Sequence, residues 1–384
     1  MRAWRSFLPE QRKLLLRFWK AASGFWRGRS SWTAWPLTAA LILIVLLQLG
    51  VQYELNLWNR NFFDALGRRN AHALWYQAAL FVPLIAGSVT LAAASVWGRM
   101  TAQRRWREYL TAHLILYWLA KGRYRRLDYA QQGRENPEYR IAEDARLATD
   151  APIDLAVGLL NSLLMAATFI SVLWTVGGDI TLTIFATNVV VPGYLVISVI
   201  VYSSFITAAM VFIGRSLTLV IQSKNQAEAE LRSTANTLRT AAEQATTLAG
   251  SEAAARGELW RALRGALGRW RELCMQLVRT TLVLQTNTLL APVVGLVLCA
   301  PKFLSGSMSL GELTQAAAAF VLVQGAFNWL VDNYQRLADW ISSVDRVATL
   351  LLAVDELCMR EQFISATAPP PVEPAQIRTA VTSR

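Results

Sequence analysis

Residues 35–53 have the sequence WPLTAALILIVLLQLGVQY, an apolar run without a single charged side chain. A membrane-spanning helix needs about 20 mainly apolar residues, because lipid offers the backbone no hydrogen-bond partner and a helix satisfies its own polar groups. The run begins only at residue 35 and ends without a small-residue cleavage site, which argues against a signal peptide. We therefore expect a retained transmembrane helix here.

Other apolar runs of similar length follow this one along the chain. The six predicted spans are 35–53, 76–97, 153–176, 182–214, 280–300 and 310–331. The fourth is longer than a hydrocarbon core requires, so we expect it to continue into the cytosol. With 54% apolar and 17% charged residues, the chain is predicted to be an all-α polytopic membrane protein.

Lys and Arg residues are distributed very unevenly between the predicted loops. The N-terminus, the second and fourth connections and the C-terminal tail hold eight, eleven, ten and five of the 38 basic residues. The other side holds Arg60, Arg68, Arg69 and Lys302. Because basic loops stay on the cytoplasmic side, the pattern predicts that both termini lie in the cytoplasm. The membrane we expect is a bacterial inner membrane.

The segments outside the spans also have distinctive compositions. Residues 1–34 mix aromatic and basic side chains, which predicts an amphipathic helix on an anionic membrane surface. The inner connections of about 55 and 65 residues are too long for unstructured loops and should be helical arms, reversed near Gly133, Pro137 and Gly250. Residues 35–357 would form the transporter domain, followed by a disordered, Pro-rich tail over 358–384.

Several short stretches carry a specific resemblance. They are LNLWNRNFFDAL (55–66), NPEYRIAEDAR (136–146), VPGYL (191–195), IGRSL (213–217), EAELR (228–232), SLGELTQ (309–315) and VQGAF (323–327). In this order they resemble the membrane domains of the SbmA/BacA-like peptide transporters and their relatives with a fused ATPase. The resemblance covers about residues 35 to 357 and implies an ABC-exporter-like transmembrane fold, a homodimer with a central cavity, and uptake of peptides or peptide-like antibiotics.

Candidate functional residues fall into four sets. Polar residues that line a cavity or bond another helix would be Gln324, Asn328 and Asp332, spaced at i, i+4 and i+8, together with Gln285. Carboxylates that could carry a proton are Glu228, Glu230, Asp64, Glu54 and Glu312. The inner coupling turn would comprise Asn136, Pro137, Arg140, Glu143, Asp144 and Arg146. The outer motif, with roles in gating or interfacial anchoring, would comprise Asn56, Trp58, Phe63 and Asp64.

We expect proton-driven transport, with an ABC permease energised by a separate ATPase as the alternative. None of the five lysines follows a glycine, so the sequence contains no Walker A motif and we expect a transporter rather than an enzyme. The resemblance to the SbmA/BacA-like branch implies proton-driven transport, whereas a separate ATPase subunit would make the chain an ABC permease. A non-transporting membrane scaffold is a further alternative.

Composition also limits the possible ligands. With two histidines and three widely spaced cysteines, we expect no metal site, no catalytic triad and no cofactor. The basic residues lie between apolar runs, so their partners should be membrane lipids rather than nucleic acid.

Overall fold

The computed structural model describes residues 2–28, 30–130, 137–184, 187–214, 216–244 and 251–367. The first helices are α1 (Arg2–Ala22), α2 (Gly24–Arg27), α3 (Ser31–Gly67), α4 (Ala71–Leu119) and α5 (Arg123–Ala130). They are followed by α6 (Pro137–Tyr139), a π-helical segment (Arg140–Asp144) and α7 (Ala145–Gly177). The remaining elements are β1 (Ile180–Ile184), β2 (Thr187–Val191), α8 (Tyr194–Gly214), α9 (Leu217–Gln244), α10 (Ser251–Leu304) and α11 (Leu310–Thr367).

Five helical stretches among the described residues are long and apolar enough to cross a membrane. They are Ser31–Gly67, Ala71–Arg126, Pro137–Gly177, Tyr194–Thr240 and Ala254–Leu304. The predicted sixth span, 310–331, lies at the start of α11, which is not among the five. Polar side chains such as Gln315, Gln324 and Asn328 dilute the apolar character of α11, and the count of six spans stays a prediction.

The predicted fourth span, a continuous helix over 182–214, is wrong in its first third. Strands β1 and β2 form an antiparallel hairpin in which Ile180 pairs with Val191 and Ile184 with Thr187. β-Branched residues dominate both strands and favour extended backbone. Gly193 then adopts a left-handed φ of 58°, and helix α8 begins only at Tyr194. Helix α8 has 21 residues, or about 31 Å, which matches the hydrocarbon thickness. The helical stretch Tyr194–Thr240 extends beyond it, in agreement with the predicted continuation of this span.

The helical arms extend over the predicted regions. Helix α4 continues past the predicted span to Leu119, and α9 and α10 contain the two halves of the second arm. Gly133 and Gly250, the predicted reversal points, lie outside the described residues. Helix α11 reaches Thr367, so the beginning of the predicted disordered tail is helical, while residues 368–384 lie outside the described residues.

The chain divides into two compact units. The first contains Met1–Ala40, Trp97–Asp154 and Gln335–Arg384, and the second contains Leu41–Val96 and Leu155–Tyr334. The core of the second unit is built from α7, α8, α10 and α11, and its largest buried side chains include Phe169, Leu173, Leu195, Val199, Phe320 and Val323.

The core of the first unit includes residues of the N-terminal segment. Phe18 and Phe25 are buried beside Trp106 and Val344, and the Trp106 indole N–H donates to the Ala22 carbonyl at 3.1 Å. One face of this segment therefore packs against protein, while Leu15, Leu16 and Trp19 are exposed beside Lys13 and Lys20. The location of residues 1–34 on a membrane surface stays a prediction.

Candidate functional site

The start of α11 is fixed by a capping box. The Ser309 hydroxyl oxygen accepts a hydrogen bond from the Glu312 N–H at 3.1 Å, and Glu312 Oε2 accepts one from the Ser309 N–H at 3.0 Å. The other oxygen of Glu312 accepts from Arg60 Nη2 at 2.8 Å. Glu312 therefore links the first turn of α11 to α3.

The end of α3 completes this contact. Asp64 Oδ1 accepts a hydrogen bond from the Gly311 N–H at 2.8 Å, where the positive end of a helix dipole favours a carboxylate. A β-carbon at Gly311 would overlap the Arg60 carbonyl oxygen and lie 2.6 Å from Asp64 Cγ, so only glycine permits this approach. The Asn56 amide donates to the Gln315 carbonyl at 3.2 Å. We call Asn56, Arg60, Asp64, Gly311, Glu312 and Gln315 the α3–α11 clamp.

The clamp joins two stretches that lie far apart in the sequence, 55–66 and 309–315. Trp58, in contrast, faces α4: its indole N–H donates to the Gln77 carbonyl at 2.8 Å and its ring stacks on Phe81. Phe63 is half-buried and meets the edge of Phe62. The predicted outer motif thus supplies two residues to a helix–helix joint and two to aromatic packing.

The predicted proton carriers occupy different environments. Asp64 and Glu312 are each held by fixed hydrogen-bond donors, as described above. Glu228 pairs with Lys224 Nζ at 2.9 Å and accepts from the Trp270 indole N–H at 3.0 Å. Glu54 and Glu230 are exposed.

The predicted polar stripe of α11 divides into a buried and an exposed part. Gln324 and Asn328 are only 4% and 8% exposed, whereas Asp332 is exposed and so is Gln285 on α10. Within the described part of the chain, Gln324 Nε2 and Asn328 Oδ1 have no hydrogen-bond partner. Buried amides with unused hydrogen-bonding capacity are costly, so they indicate a site where another polar group can bind.

The prediction missed a neighbouring polar pair. Asn287 is 5% exposed and its Oδ1 accepts from the Tyr202 hydroxyl at 3.0 Å, while the Tyr202 ring lies 5.6 Å from that of Phe320. Asn287 is two residues from Gln285 and therefore on another face of α10. The sequence signals a polar residue here but does not indicate which of the two faces the core.

The predicted coupling turn is an ion-pair cluster of the first unit. Asp144 is fully buried and accepts hydrogen bonds from Arg346 Nε and Nη2 at 2.8–2.9 Å. Arg346 also donates to the Ser343 hydroxyl, and its contacts with Asp144 raise the pKa of its guanidinium. The π-helical turn at Arg140–Asp144 places this carboxylate on the buried side of the helix.

The other residues of this turn have separate surroundings. Arg146 pairs with Glu143 at 2.5 Å and with Asp150 at 3.6 Å. Pro137 is buried and Arg140 is half-buried, while Asn136 lies outside the described residues. Arg146 therefore pairs with acids other than Asp144. The true partner of Asp144 is in α11, and the only hint in the sequence is that an acid sits among Ile141, Ala145 and Ala148.

A second ion-pair cluster in the first unit was not predicted. Asp355 accepts from Arg17 Nε at 2.5 Å and Nη2 at 2.9 Å, and from the Tyr117 hydroxyl at 2.6 Å. Although burial raises the pKa of Asp355, the hydrogen bonds and charge of Arg17 lower it below its ordinary value. Further along α11, Glu361 pairs with Arg123 at 3.3 Å and Arg126 at 3.2 Å. We call these residues the α11 latch.

No group of three His, Cys, Asp or Glu side chains in the described ranges could hold a metal ion. The polar side chains described above form helix joints, ion pairs and buried amides.

Comparison with known proteins gives a consistent picture. Residues 27–304 match the family described as ABC transporter transmembrane region 2. The chain is 27% identical over 348 residues to the inner membrane ABC transporter ATP-binding protein YddA of Escherichia coli, covering 88% of this chain and 60% of that protein.

Two further relatives show the same partial coverage. An uncharacterized ABC transporter ATP-binding protein of Haemophilus influenzae is 25% identical over 83% of this chain and 53% of its own length. ABC transporter D family member 2 of Arabidopsis thaliana, a chloroplastic protein, is 22% identical over 88% of this chain and 46% of its own. The chain thus spans about half the length of the curated relatives it matches.

These matches confirm the resemblance drawn from the motifs. The family match covers most of the chain, and the structure supplies several apolar helices of spanning length. The chain therefore belongs to the ABC transporter transmembrane region 2 family and is a multi-pass membrane component of an ABC-type transporter.

Proposed function

We propose that this chain forms the membrane path of a transporter for peptides or peptide-like antibiotics, and that ATP hydrolysis drives it. The observation that carries the choice of energy source is the structural position of two predicted proton carriers. Asp64 and Glu312 accept hydrogen bonds from backbone N–H groups at the start of α11 and so belong to the α3–α11 clamp. This position supports a role in holding the helices together rather than in carrying protons.

The relatives support the same choice. The proteins described above are named as ATP-binding or ABC transporters, and they are considerably longer than the matched region. The ATPase would be a separate subunit or a further domain. In this proposal the turn at 137–146 faces the cytoplasm and meets it.

The peptide substrate is proposed from the resemblance and from the buried amides. Gln324 and Asn328 offer a donor and an acceptor that no described residue uses. Neutral amides of this kind can pair with peptide N–H and carbonyl groups without the desolvation cost of a charge. A homodimer in the bacterial inner membrane, with six spans per chain and cytoplasmic termini, would enclose such groups in a central cavity.

Proton-coupled transport is the second candidate, because the motifs resemble the SbmA/BacA-like branch. The deciding experiment measures uptake of a labelled peptide by cells that express the full gene with its native neighbours. In one arm, ATP is depleted while respiration maintains the proton gradient. In the other arm, an uncoupler collapses the gradient while the ATP concentration is held constant.

We expect ATP depletion to abolish uptake and the uncoupler to leave most of it. Uptake that survives ATP depletion and vanishes with the uncoupler would establish the proton mechanism instead. Uptake unchanged by deletion of the gene would contradict both mechanisms and favour a scaffold.

A further inference from the structure

A polar cavity lies between the start of α9 and the middle of α10, within the second unit. Its volume is about 520 Å³, and its lining includes Ser216, Val220, Arg271, Met275 and Arg279. Each of these residues is at least partly accessible. The cavity therefore combines two guanidinium groups and a hydroxyl with apolar side chains.

The position of this cavity along the chain is informative. Ser216 lies just beyond Gly214, where apolar helix α8 ends, and Arg279 lies directly before the apolar stretch 280–300 of α10. Two membrane-crossing segments therefore reach their polar boundary at the same place. Phospholipid headgroups occupy this depth beside a membrane protein.

A buried amide holds the two helices together at the cavity. Gln276 is 5% exposed, and its Nε2 donates a hydrogen bond to the Ile213 carbonyl at the end of α8. This bond ties α10 to the segment that carries Ser216. The cavity is thus a feature of the helix packing rather than a gap between loose ends.

The charges of the cavity are not balanced by the acids nearby. Glu272 also lines it, but Arg269 pairs with both carboxylate oxygens of Glu272 at 2.9 Å. For Arg271 and Arg279, the described part of the chain shows no ion pair with an acid. Arginine binds phosphate oxygens with two parallel hydrogen bonds, and basic pockets at the ends of transmembrane helices suit anionic headgroups.

We propose that this cavity binds the headgroup of an anionic phospholipid. Arg271 and Arg279 would bind the phosphate, and Val220 and Met275 would contact the first acyl carbons. The Ser216 hydroxyl, which is 3.5 Å from the Ile213 carbonyl in this structure, would turn to donate to the phosphate. The site is independent of the transported substrate and of the energy source. Its ligand would be a structural lipid at the joint between α8, α9 and α10.

The test uses the full chain purified in a neutral detergent. Binding of phosphatidylglycerol and of phosphatidylcholine is measured by native mass spectrometry for the wild type, R271Q/R279Q and a control, R261Q/R264Q. The control removes two exposed arginines of the same helix that do not line the cavity. We expect phosphatidylglycerol affinity to fall about tenfold or more in R271Q/R279Q and little in the control.

Three results would overturn the proposal. Equal losses in both variants would show general surface attraction, and equal binding of phosphatidylcholine would show that the charge is not recognised. Full competition by glycerol phosphate at the lipid's own concentration would assign the cavity to a soluble phosphate compound.

A second measurement needs no variant and remains decisive if R271Q/R279Q does not fold. The wild-type protein is irradiated in the presence of a phosphatidylglycerol analogue that carries a photoreactive group beside the phosphate. The crosslinked peptides are then identified by mass spectrometry. We expect crosslinks within 216–220 and 268–279. Crosslinks confined to other parts of the chain would overturn the assignment.

Discussion

Asp144 and Arg346 are 202 positions apart in sequence, yet their side chains meet in the first unit. Removing Arg346 would leave a fully buried carboxylate without its cation. R346A should therefore destabilise the protein by about 3 kcal/mol, the lower part of the range for breaking a buried pair, because Arg346 is partly solvated. Thermal unfolding in detergent measures this loss.

The control for this change is the exposed pair of Arg269 and Glu272. R269A should cost less than about 0.5 kcal/mol, because exposed pairs one turn apart contribute little. The double variant D144N/R346A should recover part of the loss, since the buried charge is then gone. Equal effects of R346A and R269A would contradict the importance of the Asp144 contact.

Gly311 provides a second test at the level of one residue. A methyl group there would collide with the Arg60 carbonyl and with Asp64, so G311A should push the start of α11 away from α3. Overpacking of this kind costs about 1–3 kcal/mol. The unfolding midpoint should fall, and peptide uptake should fall with it.

Gly325 is the matched control, because it also lies in α11 and no atom of the described residues is within 4 Å of its added β-carbon. G325A should be neutral or stabilising by up to about 1 kcal/mol, since alanine favours a helix over glycine. A G311A protein as stable and active as G325A would show that the clamp does not depend on the close approach.

Single residues were thus predictable as types but not as partners. Asp64 and Glu312 stand out in the sequence as acids near helix ends. Both contact the start of α11, and this shared role depends on the packing of α3 on α11, which the sequence does not show. The contact of Arg346 with Asp144 was not predicted, because nothing in the residues around Arg346 indicates that its partner is buried. Tertiary contacts decide such cases.

At the level of elements, the hairpin at 180–191 shows that apolar content alone can predict a transmembrane helix where the chain forms strands. Hydropathy alone cannot separate an apolar strand from an apolar helix, so residues 182–193 were assigned to a span. The alternation of Thr and Ile and the run of Val were the available signals. The arm segments of α4, α9 and α10 were predictable because their proline-free composition, rich in alanine, leucine, glutamate and arginine, favours a helix.

The α11 latch gives an element-level prediction about pH. The pKa of Asp355 is lower in the folded protein than in the unfolded chain, so its contribution to stability is complete above the unfolded value, about 4. The contribution is lost as pH falls through the lower, folded value. Acidification from pH 6 to pH 3 should therefore lower the unfolding midpoint of the wild type more than that of D355N.

The control is E108Q, which removes an exposed acid paired with Arg105 on its own helix. Its pH profile should parallel that of the wild type. Limited proteolysis adds a structural readout: D355N should expose sites near the C-terminal end of α11 at neutral pH. Identical profiles for D355N and the wild type would show that Asp355 does not stabilise the latch.

At the level of the whole molecule, the distribution of basic residues between the loops bears on the number of membrane crossings. The structure supplies five apolar helices of spanning length, whereas the basic-residue pattern requires an even number of crossings if both ends are cytoplasmic. The two counts differ in whether the start of α11, residues 310–331, crosses the membrane. If it crosses, Ser307 and Met359 lie on opposite sides of the membrane, and if it does not, they lie on the same side.

Cysteine labelling distinguishes these two topologies. In a background with Cys274, Cys299 and Cys358 replaced by serine, N70C, S307C and M359C are treated with a membrane-impermeant maleimide on intact spheroplasts. All three positions are exposed, so a lack of labelling reports the membrane rather than burial.

We expect N70C and S307C to react at once and M359C only after permeabilisation. That result requires the stretch 310–331 to cross despite Gln315, Gln324 and Asn328, and polar side chains in a crossing helix normally face other helices or a water-filled cavity. Reaction of M359C on intact spheroplasts together with S307C would establish five spans. The amides of α11 would then lie outside the membrane path, and the peptide-binding role proposed for Gln324 and Asn328 would fail with the topology.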